Sequence, residues 1–260
     1  MPENSYRTIE KLLTGTDLEE LRQGLDLVKR KLSGVNPQEA KPLFEMVSTI
    51  FYIDLLDRPD LVSIVDEAIS LVAGFGKWVI PALVERLVAG DLKAQMAAAH
   101  ALGRIGAEAI EPLVAEYQAS DDPARRSFIL YALGKVKSPK VVHAAHLALD
   151  AAQSSDRELR DTAMRAVGKF AESIPPQDLS EQLRRGFIEE LKNGFADPNP
   201  GIRAKAIRSL GKLAQHGHLS DEEREKLRAT CLLIAGRDQN FEWDHAYIVR
   251  KEAEEALKYL

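Results

Sequence analysis

Few residues in this chain have the type and spacing that catalysis or metal binding needs. Of the six histidines, His216 and His218 flank Gly217 just past a helical stretch, which reads as a helix-ending turn before it reads as a ligand pair. Cys231, the single cysteine, sits in an apolar run and reads as a small buried hydrophobe, so neither an internal disulfide nor a cysteine metal cluster is available. No glycine-rich loop follows a strand pattern, and no nucleophile and base are paired. The expectation is a non-enzymatic protein with no catalytic residue, no cofactor and no metal. What recurs instead is positive charge. Arg104, Lys135, Lys169 and Lys212 hold one position in successive segments, and His100, Tyr131, Arg165 and Arg208 stand one helical turn earlier. A second concentration is the stretch 238–247, which places Phe241, Trp243 and Tyr247 together in a chain only 6% aromatic.

The segments that carry these residues repeat. Residues 97–106, AAAHALGRIG, return as FILYALGKVK at 128–137, AMRAVGKF at 163–170 and AIRSLGKLA at 206–214, with weaker copies at 67–76 and 253–257. Aligning Val72, Leu102, Leu133, Val167, Leu210 and Leu257 gives intervals of 30, 31, 34, 43 and 47 residues. Each interval is too long for one helix and suits two helices with their turns. In the first helix of a unit, Val79, Ile80, Leu83, Val84 and Leu87 have helical spacing, and Pro81 and Pro112 suit first turns, where a missing N–H costs nothing. Asp91, Asp122, Asp156, Asp197 and Asp244 are placed to start the second helices as N-caps. Upstream, 37–56 with 60–73 and 5–13 with 17–32 read as two further hairpins, the last with Thr16 and Glu19 spaced as a capping box. The total is about fourteen helices in seven pairs, with no strand alternation. The chain reads as one domain over 1–260, degenerate over 1–59 and clearly repetitive over 60–260.

Composition excludes several function classes. In 260 residues, 45% hydrophobic and 29% charged, a sizeable core is available and wholesale disorder is not expected. A net charge of −5 disfavours a generally basic nucleic-acid binder. The first residues are polar and carry no signal-peptide pattern, and the most apolar stretch, 69–84, is broken by Gly74, Gly76, Lys77 and Pro81. No membrane association and a cytoplasmic location are expected.

An aspartate turn, an apolar residue before arginine, an alanine-rich stretch and then leucine-glycine resembles the HEAT-repeat family, in its short phycobilisome-lyase-type form. The match is best from Asp156 and Leu159-Arg160 to Val167-Gly168, from Asp197 and Ile202-Arg203 to Leu210-Gly211, and from Asp244 and Val249-Arg250 to Leu257. Gln95 replaces the arginine in one unit, and Lys258 replaces the last glycine. The resemblance implies an all-α, right-handed superhelical solenoid of about seven hairpins, in which second helices line the concave face. It also implies that Arg126, Arg160, Arg203 and Arg250 pair with Asp122, Asp156, Asp197 and Asp244 to tie adjacent turns together.

On that face, residues two, six and ten beyond the first apolar residue of each second helix form trios. They are Met96, His100, Arg104; Ser127, Tyr131, Lys135; Asp161, Arg165, Lys169; and Ala204, Arg208, Lys212. One reading makes His100, Arg104, Tyr131, Lys135, Arg165, Lys169, Arg208 and Lys212 a partner-binding stripe for an acidic protein segment. In that reading Arg165 with Lys169, and Arg208 with Lys212, are doubled cations whose repulsion an acidic ligand relieves. The other reading is that the basic ladder complements helix C-terminal dipoles. Phe241 and Trp243 read either as a binding contact or as a fold-back over the last hairpin. The resemblance thus implies a scaffold or adaptor, the alternative being a bilin lyase or an accessory subunit of an enzyme complex. The family's hydroxylases need His-Glu pairs that this chain lacks. Its DNA glycosylases need a tryptophan-lined basic face, whereas Trp78 and Trp243 lie near turns.

Overall fold

The computed structural model describes residues 2–88, 90–239 and 243–260. Its contacts divide into two compact units, residues 1–116 and 117–260. Unit 1 contains α1 (Pro2–Leu13), α2 (Leu18–Leu32), α3 (Pro37–Ser48), α4 (Val62–Gly74), α5 (Ile80–Arg86) and α6 (Leu92–Ile105). The boundary falls within α7 (Ile110–Ala119). Unit 2 holds α8 (Pro123–Leu133), α9 (Ala145–Ala152), α10 (Arg157–Ser173), α11 (Glu181–Asn193), α12 (Pro200–Gln215), α13 (Asp221–Ile234) and α14 (Tyr247–Ala256). Among the described residues there is no strand, and the fold is all-α, as its repeats imply. No single helix among them is long and apolar enough to cross a membrane.

In unit 1, second helices pack in succession, α2 on α4 and α4 on α6, while α1 meets α3. The glue is apolar. Phe44, Phe75 and Trp78 form a triangle of edge-to-face rings with centroids 5.9–6.0 Å apart, an arrangement that places ring edges against the negative faces of their neighbours. Two expectations fail here. The helix expected over 37–56 stops at Ser48 and passes into a short 3₁₀ segment, Thr49–Tyr52, ending at the turn where Asp54 accepts the Leu56 N–H at 2.9 Å. The capping box at Thr16 is replaced by Asp17, whose carboxylate accepts the Glu19 and Glu20 N–H groups at 2.9 and 3.0 Å. A carboxylate satisfies two free amides and also faces the helix dipole, which a threonine hydroxyl does less well.

In unit 2 the stack runs α8, α10, α12, α14, with α9 against α11 behind it. The repeat glycines are close-approach positions. A Cβ on Gly168 of α10 would lie 2.5 Å from Ser209 Oγ, and one on Gly211 of α12 would lie 3.1 Å from Ala256 Cβ of α14. Phe170, Val167, Ile207 and Leu210 are buried at the seams, each contributing about 1.5–3 kcal/mol relative to exposure.

The arginines tie repeats together, but with different partners from those expected. Arg160 Nε donates to Asp197 of the following repeat at 3.1 Å, and Arg203 grips Asp244 through two bonds of 2.7 and 2.9 Å. Each arginine also donates through Nη1 to carbonyls five and six residues earlier: Arg160 to Ser155 and Ser154, Arg203 to Pro198 and Asp197, and Arg250 to His245 and Asp244. Arg126 lies beside Asp121 and Asp150 instead and packs on the Tyr117 ring. Asp91, Asp122 and Asp156 are N-caps as expected. Asp197 and Asp244 are not, because each is turned toward the preceding repeat's arginine. Their neighbours Asn199 and Ala246 hold the cap positions instead.

Candidate functional site: a basic cavity on unit 2

Because α10 and α12 approach closely at Gly168, the side chains one turn to either side converge. Tyr131 and Lys135 from α8 and its exit, Arg165 and Lys169 from α10, and Lys205, Arg208 and Lys212 from α12 line a cavity of about 310 Å³. Six residues of the expected stripe are therefore brought together.

Their electrostatics differ from the expected picture of mutually repelling cations. Glu172 accepts from Lys169 at 2.9 Å and from Lys212 at 2.6 Å, bridging the two. Burial pushes the Glu172 carboxyl up, but the hydrogen bonds from Lys212 and Lys169 outweigh it and hold it below its ordinary value. Burial also lowers the Lys212 amine, partly offset by Glu172. Arg208 forms a two-pronged pair with the buried Glu252 of α14, at 2.8 and 2.5 Å, which raises its pKa. Lys205 is paired with Asp161. Three carboxylates thus offset four of the six cations. The remaining two, Lys135 and Arg165, have no ion pair among the described residues. They lie over the Tyr131 ring, with Lys135 Nζ 4.7 Å and Arg165 Cζ 5.9 Å from its centroid, a cation–π arrangement. The cavity keeps a surplus of positive charge centred on an aromatic face.

The helix-dipole account holds for Arg104 and Lys212, which stand in the last turns of α6 and α12. Lys135, just past the end of α8, also lies at that helix's carbonyl end, whereas Lys169 lies before the last turn of α10.

The unit 1 members of the stripe have other surroundings. Arg104 donates to Asp66 and Ser70. Met96 and His100 line an apolar groove. Trp243, half-exposed, lies against the Gly236 turn, its Cβ 3.2 Å from where a Gly236 Cβ would stand, and the Asp244 N–H returns to the Ile234 carbonyl at 3.1 Å. Trp243 thus folds back on the last hairpin. Phe241 lies outside the described residues. His218 is buried with Nε2 3.0 Å from the Ala171 carbonyl, in the turn made by Gly217 at φ 78°. Cys231 is fully buried, and burial pushes its thiol up to about 12.

Sequence reasoning missed Lys205, Thr162 and Ser209 in the cavity wall. The spacing rule was one residue early at the first turn: Asp161 serves Lys205, and Ala204 is buried in the packing.

Stacked helical hairpins joined by periodic arginine braces define an all-α repeat protein with a HEAT/armadillo-like fold. No family model and no curated protein matches the sequence. Solved structures do. The complex of CpcE and CpcF of phycocyanin lyase from Nostoc sp. PCC7120 matches with a TM-score of 0.54 at 19% identity, over 69% of this chain and 98% of that one. Kap121p bound to Pho4p matches at 0.61 and 11%, over 100% of this chain and 29% of that one. Kap95p with RanGDP matches at 0.60 and 16%, over 98% and 35%. The chain therefore spans about a third of the two Kap proteins, and the likeness to all three is one of fold.

Proposed function

We propose that this protein is a non-enzymatic scaffold or adaptor that holds an acidic segment of a partner protein in the basic cavity of unit 2. The observation that carries the reading is the pair Lys135 and Arg165 over Tyr131, cations left without carboxylates in a cavity whose other cations are already matched. A carboxylate from a partner would complete them and rest its aliphatic stem on the ring. The non-enzymatic part of the reading rests on the lack of a nucleophile–base spacing in the sequence. The Kap structures bind protein partners, RanGDP and Pho4p; the acidic partner is inferred from this chain's own charge.

The test is Lys135→Glu with Arg165→Glu. Neither residue closes an internal ion pair, so the variant should fold. Fluorescence anisotropy with a labelled peptide of alternating Glu and Leu should show at least a tenfold weaker Kd for the variant, since each lost charge-assisted bond is worth about 1.5–3 kcal/mol. Wild-type binding should weaken between 0.05 and 0.5 M salt. Unchanged affinity in a folded variant would reject the cavity as the interface.

A further inference from the structure

Unit 1 carries a second surface of opposite character. Of ten large apolar side chains exposed among the described residues, six lie between Tyr52 and Met96. Four of these, Leu56 (92% exposed), Leu92 (59%), Val62 (52%) and Met96 (41%), line a single groove of about 640 Å³. Its floor includes Phe51 and Ile69, both buried. Apolar surface left together in water at this density marks a place that something else covers. We infer that this groove docks an amphipathic helix of a partner protein, apolar face inward and basic residues along its flank.

The shape of the lining selects a helix. Val62, Val65, Asp66 and Ile69 on α4, and Leu92, Lys93, Met96, Ala97 and His100 on α6, are spaced by three and four residues and form two helical ridges. Such ridges accept the ridge of a third helix at an axial distance of about 8–10 Å. An extended segment would instead press unpaired N–H and C=O groups against apolar walls, whereas a helix closes its own backbone bonds. Met96 adds an unbranched, adaptable side chain to the contact.

The charge around the groove selects a basic flank. Asp54, Asp66 and Lys93 line the groove, and Asp57, Arg58, Asp60 and Asp91 stand next to its lining segments in the chain. Arg58 is taken by Asp60, Lys93 by Asp54, and Arg104 reaches Asp66. Acidic charge remains in excess, and residues 1–116 as a whole carry 18 acidic and 12 basic residues. Lysines or arginines flanking the apolar stripe of a bound helix would meet this surplus.

The experiment uses three labelled helical peptides of equal length. One has Leu at positions i, i+3, i+4 and i+7 with Lys on the flanks, one has the same leucines with Glu flanks, and one keeps Lys but replaces Leu by Ser. Only the Leu/Lys peptide should bind the full chain, at least tenfold more tightly than either other peptide. Leu56→Ser with Leu92→Ser should abolish that preference. Lys135→Glu with Arg165→Glu should leave it intact, which separates this surface from the unit 2 cavity. Equal binding of the Lys and Glu peptides, or binding indifferent to the serine variant, would overturn the inference. Two measurements on the same variant expose other occupants. Loss of a wild-type dimer in light scattering would assign the groove to a second copy, and loss of binding to phosphatidylcholine vesicles would assign it to a lipid surface. Either result would reject the helix.

Discussion

Unit 1 is held by rings and aliphatic packing around Phe44, Phe75 and Trp78, and it leaves apolar side chains in water. Unit 2 is laced by arginine–carboxylate pairs from one repeat to the next, and it leaves cations in water. Charge follows the same division: residues 117–260 carry 22 acidic and 23 basic residues, against the acidic excess of unit 1. One architecture thus supports two kinds of joint: apolar cores fill both units, and unit 2 adds a ladder of arginine–carboxylate pairs from repeat to repeat.

The largest expected effect tests the polar joints. Asp244→Asn keeps the shape but removes the charge from a pair whose side chains are only 15% and 19% exposed, so it should cost about 3 kcal/mol in urea unfolding at pH 7. Arg203 beside it holds the Asp244 carboxyl below its usual range. The contribution is therefore fully present above the unfolded carboxylate pKa of about 3.9 and is lost as the pH falls through the lower native value. The stability curves of wild type and variant should converge in acid. A gap that does not narrow as the pH falls would mean that the pair is not its source. Next in size is Gly168→Ala. Its methyl group would fall 2.5 Å from Ser209 Oγ and 3.1 Å from Lys212 Cδ, costing about 2 kcal/mol and spreading the cavity. Pairing it with Ser209→Gly should restore part of the melting temperature. The smallest effect sharpens the contrast from the other side. Arg86 pairs with Glu45 in unit 1, but Glu45 is 52% exposed, so Glu45→Gln should change stability by less than about 0.5 kcal/mol. A loss comparable to that of Asp244→Asn would erase the distinction between the units.

The fold was legible because its signals are local. Leucine-glycine ends, aspartate starts and hairpin period lie within one repeat, and the hairpins at 60–260 follow them. The cavity was half legible. Helical spacing placed Arg165 with Lys169 and Arg208 with Lys212 on one face. It could not show that Glu172 bridges two repeats or that Glu252 answers Arg208 from 44 residues away. Lys205 escaped because its amine turns back to Asp161. The apolar groove escaped for a different reason: Val62, Val65 and Ile69 have core periodicity, and periodicity does not distinguish a ridge that meets a neighbour from one that meets water.

The arginine brace explains how units of unequal length stack alike. Arg160 and Asp197 are 37 residues apart and Arg203 and Asp244 are 41 apart, yet both joints close. The joint fixes where one second helix begins relative to the next, whatever length of chain runs between them. Extra residues at 173–178, between Arg160 and Asp197, can therefore be absorbed as an excursion from an unchanged frame. That segment is a natural site for grafting a new loop or an affinity tag, because lengthening it does not alter the register of the helices that bear the cavity.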